Sequence, residues 1–426
     1  MMLFSALRSP GYRRYWFGSI GTVGASQLIL MAQGWLVFQL SGSPLDLGAL
    51  GAAVSIPSIF IMVFGSVLAD RWDRRRLIMT TSLITAGLLL IQAALDYSGV
   101  VEVWHVLLIG ALIGIVSGFE WPTRQAFFAG LIEPEQMMSA VSLNSILWQA
   151  SRMILPAFAG ILIAAAGTSL VFVIGALGFM AMFATLLGME VRRQLPVTGN
   201  SLQQFLDGMR FIVDNRVFLV LIPMTWVWMF FGFSFNQLMP AFADVLGTRE
   251  LGFGALMSAV GAGSAAGTIL VGPMQKARML GGVMLSGLLG GVVALAGFGV
   301  STLLGDSVSW SFNCALVTAF LVGLFGSVFL ITSMTVLQIR VPDALRGRVM
   351  GIHTVSFYLM PLGGLFGGAL ASAYNPGVAV LIGAGVILVV TLAVVLTQSE
   401  IRQIDGRRLT AESHMAESST AGKETT

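Results

Sequence analysis

Charge is what this sequence has least of. Of its 426 residues 10% are charged and 56% hydrophobic, where a soluble domain carries about 25% charged residues. That shortage excludes a water-soluble globule, and the solvent of so apolar a chain must be lipid. Cysteine is nearly absent too. The single thiol, Cys314, excludes an internal disulfide and a thiolate metal site. The three histidines, His105, His353 and His414, are scattered without zinc spacing. No GxxxxGK[ST] loop occurs, so ATP does not act directly, and no Ser-His-Asp cluster offers catalysis. An integral-membrane enzyme therefore has no catalytic residues here, and no cofactor is implied. The run Arg74–Arg76 is short, flanked by Asp70 and Asp73 and set between apolar segments, which excludes a nucleic-acid surface.

What is present is long apolar segments. A helix crosses the bilayer core with about 20 apolar residues. Charges and turn residues divide the chain into twelve such spans, 15–40, 46–69, 77–97, 103–128, 137–165, 168–190, 217–241, 250–272, 279–301, 309–339, 346–372 and 376–397. The first follows Arg13 and Arg14 and is too long for a signal-peptide core, so it is read as a retained helix. The 51 uncharged residues from Val349 to Ser399 hold two spans, with the turn at Tyr374-Asn375-Pro376-Gly377.

Positive charge orients the bundle. With Arg249 and Arg152 excepted, 21 of the 23 Lys and Arg residues fall at the termini or in connections after even-numbered spans. Positively charged loops face the cytoplasm, so both termini are expected there. This gives a first six-helix half over 1–190, a linker over 191–216, a second half over 217–397 and a disordered tail over 398–426. Within the linker, Leu202, Phe205, Leu206, Met209, Phe211 and Ile212 recur at helical spacing, which predicts an amphipathic helix on the membrane surface. The halves echo each other. Gly65–Leu77 aligns with Gly267–Met279, and SRMILP at Ser151–Pro156 with SFYLMP at Ser356–Pro361. Parallel repeats of one orientation build a central pathway.

GSVLADRWDRRR resembles the signature of the major facilitator superfamily between helices 2 and 3, with Asp70, Arg71 and Arg74 on the pattern, Gly65 one residue before the usual glycine, and Asp73 in place of the second glycine. Trp121–Gly160, beginning WPTRQAFFAGL, and VPDALRGRVMG resemble the bacterial branch of enterobactin and macrolide exporters. The resemblance implies an all-α membrane fold of twelve helices in two pseudo-symmetric halves, in a bacterial inner membrane. It also implies monomeric, proton-coupled export of small amphipathic compounds, drug-like or of the siderophore or lipid-like metabolite kind. A transport-inactive receptor or assembly protein is the reading from another class.

Two groups of residues stand out for mechanism. In the fold resembled, helix 11 comes close to the loop of Asp70. Asp70 is then a gate against the start of that helix near Arg346 and Gly347, worth up to ~2 kcal/mol where partly buried; its alternative is a counter-charge to the topological arginines. The second half keeps the cations Lys276 and Arg278 and has Gly272 in place of the acid. Glu120 and Arg152 are the second group. Both are expected deep in spans, where a charge costs about 2.5 to over 10 kcal/mol and needs a partner. Glu120 pairs with Arg152 or with Arg124 at i+4, either as a fixed strut or as the proton carrier. Polar and aromatic residues of helices 1, 5, 7 and 11, which border the pathway in the fold resembled, form the expected substrate surface: Gln27, Gln33, Asn144, Trp148, Gln149, Trp226, Phe230, Asn236, Gln237, His353, Phe357 and Tyr358. So much aromatic surface with few polar groups suits an amphipathic or cationic guest.

Overall fold

Lipid leaves the backbone no partner but itself, so spanning segments become helices. The computed structural model describes residues 4–64, 72–189, 201–274, 279–305 and 309–405. Gly65, Asp70 and Arg71, the second-half cations Lys276 and Arg278, and most of the tail lie outside them.

The first half runs α1 (Pro10–Ser41), α2 (Pro44–Phe64), α3 (Arg74–Tyr97) and α4 (Val103–Ala129). Caps set their ends. Ser9 accepts from the Tyr12 N–H before α1, Asp73 accepts from the Arg76 N–H before α3, and Gly42 ends α1 with φ 63°. The helical run Met137–Leu187 follows. At 1.5 Å per residue its 51 residues would reach about 77 Å, more than twice the ~30 Å hydrocarbon core. The chain turns at Gly167 (φ 79°, ψ 175°), and the arms 137–166 and 168–187 are α5 and α6. Thr168, at the start of α6, donates to Asp96 at the end of α3 at 2.5 Å.

The linker holds α7 (Ser201–Asp214), and the second half follows with α8 (Arg216–Val227) and α9 (Met239–Val245). A π turn at Trp228–Gly232 and a 3₁₀ turn at Ser234–Leu238 join α8 to α9 in a single pass. Where one regular helix over 217–241 is expected, the middle of the pass is irregular. Trp228 accounts for the place: its indole fills the gap left by Gly291 and Gly326 on two neighbouring helices. Then come α10 (Arg249–Met274), α11 (Leu280–Leu304), α12 (Ser311–Arg340), α13 (Asp343–Thr354), α14 (Ser356–Ala373) and α15 (Pro376–Thr397). α13 and α14 form one pass interrupted at Val355. Eleven helical runs are long and apolar enough to cross a membrane, and the turn at Gly167 divides one of them, giving twelve passes among the described residues.

Small residues hold the helices close, as expected where lipid supplies no hydrophobic drive between them. Ser58 of α2 donates to the Gly114 carbonyl of α4 at 2.8 Å, and a Cβ on Gly114 would fall 2.2 Å from the Val54 carbonyl oxygen. The halves meet along two seams. α2 lies against α14, with Gly48 on Gly364 and Leu365 and with Gly368 on Pro44; the Leu45 N–H donates to Ser372 at 3.0 Å. α5 lies against α10, with Gly254 on Pro156 and Gly160, and with Gly261 on the Arg152 backbone. Trp35 of α1 also stacks on Phe253 of α10 at 5.9 Å. Among the described residues, most of these contacts lie towards the end of the bundle away from the termini.

The linker helix α7 packs against α13. Gly208 fits against Ile352 and the Arg348 backbone of α13, Asp207 pairs with Arg348 at 2.9 Å, and Ile212 is buried.

Candidate functional site

A cavity of about 310 Å³ opens inside the first half. α1 supplies one helical stripe to it, Thr22, Val23, Ser26, Ile29, Leu30 and Gln33. α4 supplies Ile113, Ser117, Glu120, Trp121 and Arg124 at similar spacing, and Val54, Thr85, Trp148 and Phe179 complete the wall. Four sequence-selected residues therefore converge here: Gln33, Glu120, Arg124 and Trp148.

Glu120 and Arg124 lie one turn apart on α4, and the Arg124 Nε donates to Glu120 at 2.6 Å. Both side chains are mostly buried. Arg124 Nη1 also donates to Thr22 of α1 at 3.2 Å. The choice of partner for Glu120 thus falls on Arg124, by helical spacing. Arg152 has no acidic partner among the described residues; it sits where α5 crosses α10, its carbonyl 2.2 Å from where a Cβ on Gly261 would be. Pro122 lies between Glu120 and Arg124. It withholds an N–H from the Gly118 carbonyl and so weakens α4 locally.

Gln33 donates to Gln92 of α3 at 2.9 Å, and both side chains are buried. Gln92 was not among the sequence-selected residues, yet the rule that finds Gln33, a polar side chain inside a span, also finds Gln92 in LLLIQAAL. Thr22, Ser26, Thr85, Ser117, Trp121 and Phe179 carry no such signal, because small hydroxyls and aromatics are common in any packed span.

The other selected residues are dispersed. Asn144 lines a smaller cavity beside the first. Gln27 lines neither of the two. Gln149 crosses the seam, donating to Thr268 of α10 at 2.9 Å. Gln237 lies between Gly51 and Gly364 on the other seam. Asn236 donates to its own backbone at Phe233, 2.8 Å away. Phe230 packs on Phe231 and Phe366. Trp226 has its indole N–H buried without an acceptor. His353 is buried one turn from the half-exposed Phe357, next to the break at Val355, and Tyr358 is half-buried on α14. The second-half residues therefore do not line this cavity.

Of the loop residues, Arg74 donates to the Ala126 carbonyl near the end of α4 at 3.4 Å. Arg75 donates to the Leu186 and Leu187 carbonyls at 2.8 Å each, capping α6. Arg346 and Gly347 stand within α13, which begins at Asp343, so the free N–H groups of that helix start lie about a turn earlier than expected. The cavity and the buried pair lie within the first half, and the seams join it to the second.

Comparison with known proteins agrees with this architecture. The model of a family described as transmembrane secretion effector, within the major facilitator superfamily, matches residues 2–423. The staphyloferrin A transporter of Staphylococcus aureus (strain NCTC 8325 / PS 47) is 24% identical over 371 residues, 84% of this chain and 86% of its own. The enterobactin exporter EntS of Shigella flexneri is 25% identical over 303 residues, 69% of this chain and 68% of its own. Among solved structures, a bacterial homologue of the lysosomal transporter Spinster, inward-facing and unoccupied, superposes with TM-score 0.68 at 15% identity, covering 95% of this chain and 98% of that one. The nucleoside transporter NupG superposes with TM-score 0.67 at 16% identity, covering 91% and 98%.

Proposed function

The chain belongs to the transmembrane secretion effector family of the major facilitator superfamily, and from that premise we propose that it exports a small amphipathic compound by alternating access, in exchange for protons. The observation that carries the reading is the Glu120–Arg124 pair, 2.6 Å apart, on the wall of the 310 Å³ cavity. A neutral ion pair tolerates burial where either charge alone would cost several kcal/mol (about 3–5 on removing one partner). A proton on Glu120 breaks the pair, frees Arg124 and alters what the cavity holds. Glu120 is the proton carrier in this reading.

With both termini in the cytoplasm, as the arginine distribution indicates, the seams close the periplasmic end and the cavity loads from inside. Rocking of the halves about the site parts the seams and releases the guest outside. Asp70 gates that movement at the cytoplasmic end. The protein works as a monomer in the bacterial inner membrane and takes no cofactor. Relatives named for staphyloferrin A and enterobactin support a siderophore-like metabolite over a drug as the natural cargo.

The test is uptake of a compound panel, siderophores included, into inside-out vesicles with and without a proton gradient. Gradient-driven uptake that fails in Glu120→Gln, with substrate-gradient exchange retained, is the expected result. Full proton coupling in Glu120→Gln excludes Glu120 as carrier, and ATP-driven uptake surviving collapse of the gradient excludes the mechanism.

A further inference from the structure

Arg124 has two faces. Nε is taken by Glu120 and Nη1 by Thr22. Nη2 is buried and makes no well-formed hydrogen bond, and the Tyr15 hydroxyl is the one protein acceptor set beside the guanidinium. Arg124 also lines a second, smaller cavity of about 40 Å³, together with Tyr12, Tyr15, Trp16 and Asn144. The indole Nε1 of Trp16 is likewise buried without an acceptor. Two orphaned donors thus belong to side chains around one void, and no carboxylate lines it. A buried donor left unpaired costs about 1–3 kcal/mol, so two around one void call for an acceptor.

Size and chemistry narrow the acceptor. A water needs about 10–15 Å³ of such volume, so the void takes a few waters or one small polar head. Arginine and indole N–H groups only donate, and a carboxylate only accepts. The two cavities share Val23, Trp121, Arg124 and Trp148. The rings of Trp121 and Trp148 stand edge to face at 5.6 Å, making an aromatic partition between them. Because both N–H groups are covered, a guest reaches them only as neighbouring side chains shift.

We propose that the small cavity is the acid pocket for the transported molecule. A carboxylate of the guest sits on Arg124 Nη2 and Trp16 Nε1, while its apolar body lies in the larger cavity against Trp121, Trp148 and Phe179. The guest uses the N–H that Glu120 leaves free, so loading does not require the Glu120–Arg124 pair to open. This assignment rests on the export reading and names its substrate class as an amphipathic carboxylic acid. It also sets aside the cationic guest that the aromatic content alone would allow.

The test is binding of two matched probes, 2-naphthoate and its neutral methyl ester, to the purified full chain in lipid nanodiscs at pH 7, read by calorimetry. The acid is expected to bind at least tenfold more tightly. Trp16→Phe keeps an aromatic ring, smaller than the indole, and removes the N–H; it is expected to cut the preference to threefold or less while the protein still melts cooperatively. Equal affinities, no binding of either probe, or a preference that survives in Trp16→Phe overturns the acid pocket. The export reading fails separately, on an absence of gradient-driven uptake of any compound in the vesicle panel.

Discussion

Gly48 of α2 and Gly364 of α14 meet backbone to backbone, so that a Cβ on Gly48 would lie 2.6 Å from the Gly364 carbonyl oxygen. Neither helix can yield this space by a side-chain rotation. Gly48→Val should therefore wedge the seam. With Cys314 replaced by serine, a cysteine at Ser372 should react severalfold faster with a membrane-impermeant maleimide in Gly48→Val, and transport should fall about tenfold. Gly87→Ala, with nothing within 4 Å, should change neither. Unchanged labelling in Gly48→Val would show that this contact does not close the bundle.

Gln33 and Gln92 form a buried amide pair. Gln33→Leu leaves Gln92 with no partner and should lower stability by about 1–3 kcal/mol. In the double variant, Gln33→Leu with Gln92→Leu, both polar groups are gone and much of that loss should return. Thermal unfolding of the four proteins in detergent measures it. Additive losses would mean that the two amides stabilise independently.

Gly167 holds φ 79° with ψ 175°, a region nearly closed to residues with a Cβ. Gly167→Ala should cost about 1–3 kcal/mol, seen as a drop in melting temperature with topology unchanged. Gly385→Ala, which meets nothing and has no positive φ, should melt like the parent. Equal melting of the two variants would place the turn elsewhere.

The charged connection before α3 divides into two roles. Arg75→Gln loses both bonds to the α6 carbonyls and should lower the melting temperature. Asp70→Asn should lower the transport rate severalfold at normal insertion and unchanged melting. Asp70→Asn with full transport would reduce Asp70 to a counter-charge.

Much of the fold was legible because lipid imposes a single rule. Charge-free length gave the twelve spans, including the turn at Gly167, where the sequence shows a lone Gly-Thr between apolar runs. The irregular middle of the seventh pass was not legible. It depends on where Trp228 finds space between Gly291 and Gly326, and no local pattern encodes that. The site was legible in part. Glu120 and Arg124 stand out as costly charges at helical spacing, whereas Arg152 was drawn towards Glu120 by reach alone, and packing against Gly261 places it on the seam. The sequence marks Gln237 and Gln149 as polar residues inside spans; their places on the seams depend on how closely glycines let neighbouring helices approach, which a single sequence does not express.

The cavity is lined wholly by the first half, from Thr22 to Phe179. On the proposed function, the two halves are then unequal partners despite their matching helix count: one is the berth and the other the door. Substitutions on α1 or α4 should alter how tightly cargo is held. Those on α10 and α14 should alter how often the vessel opens, with affinity left alone.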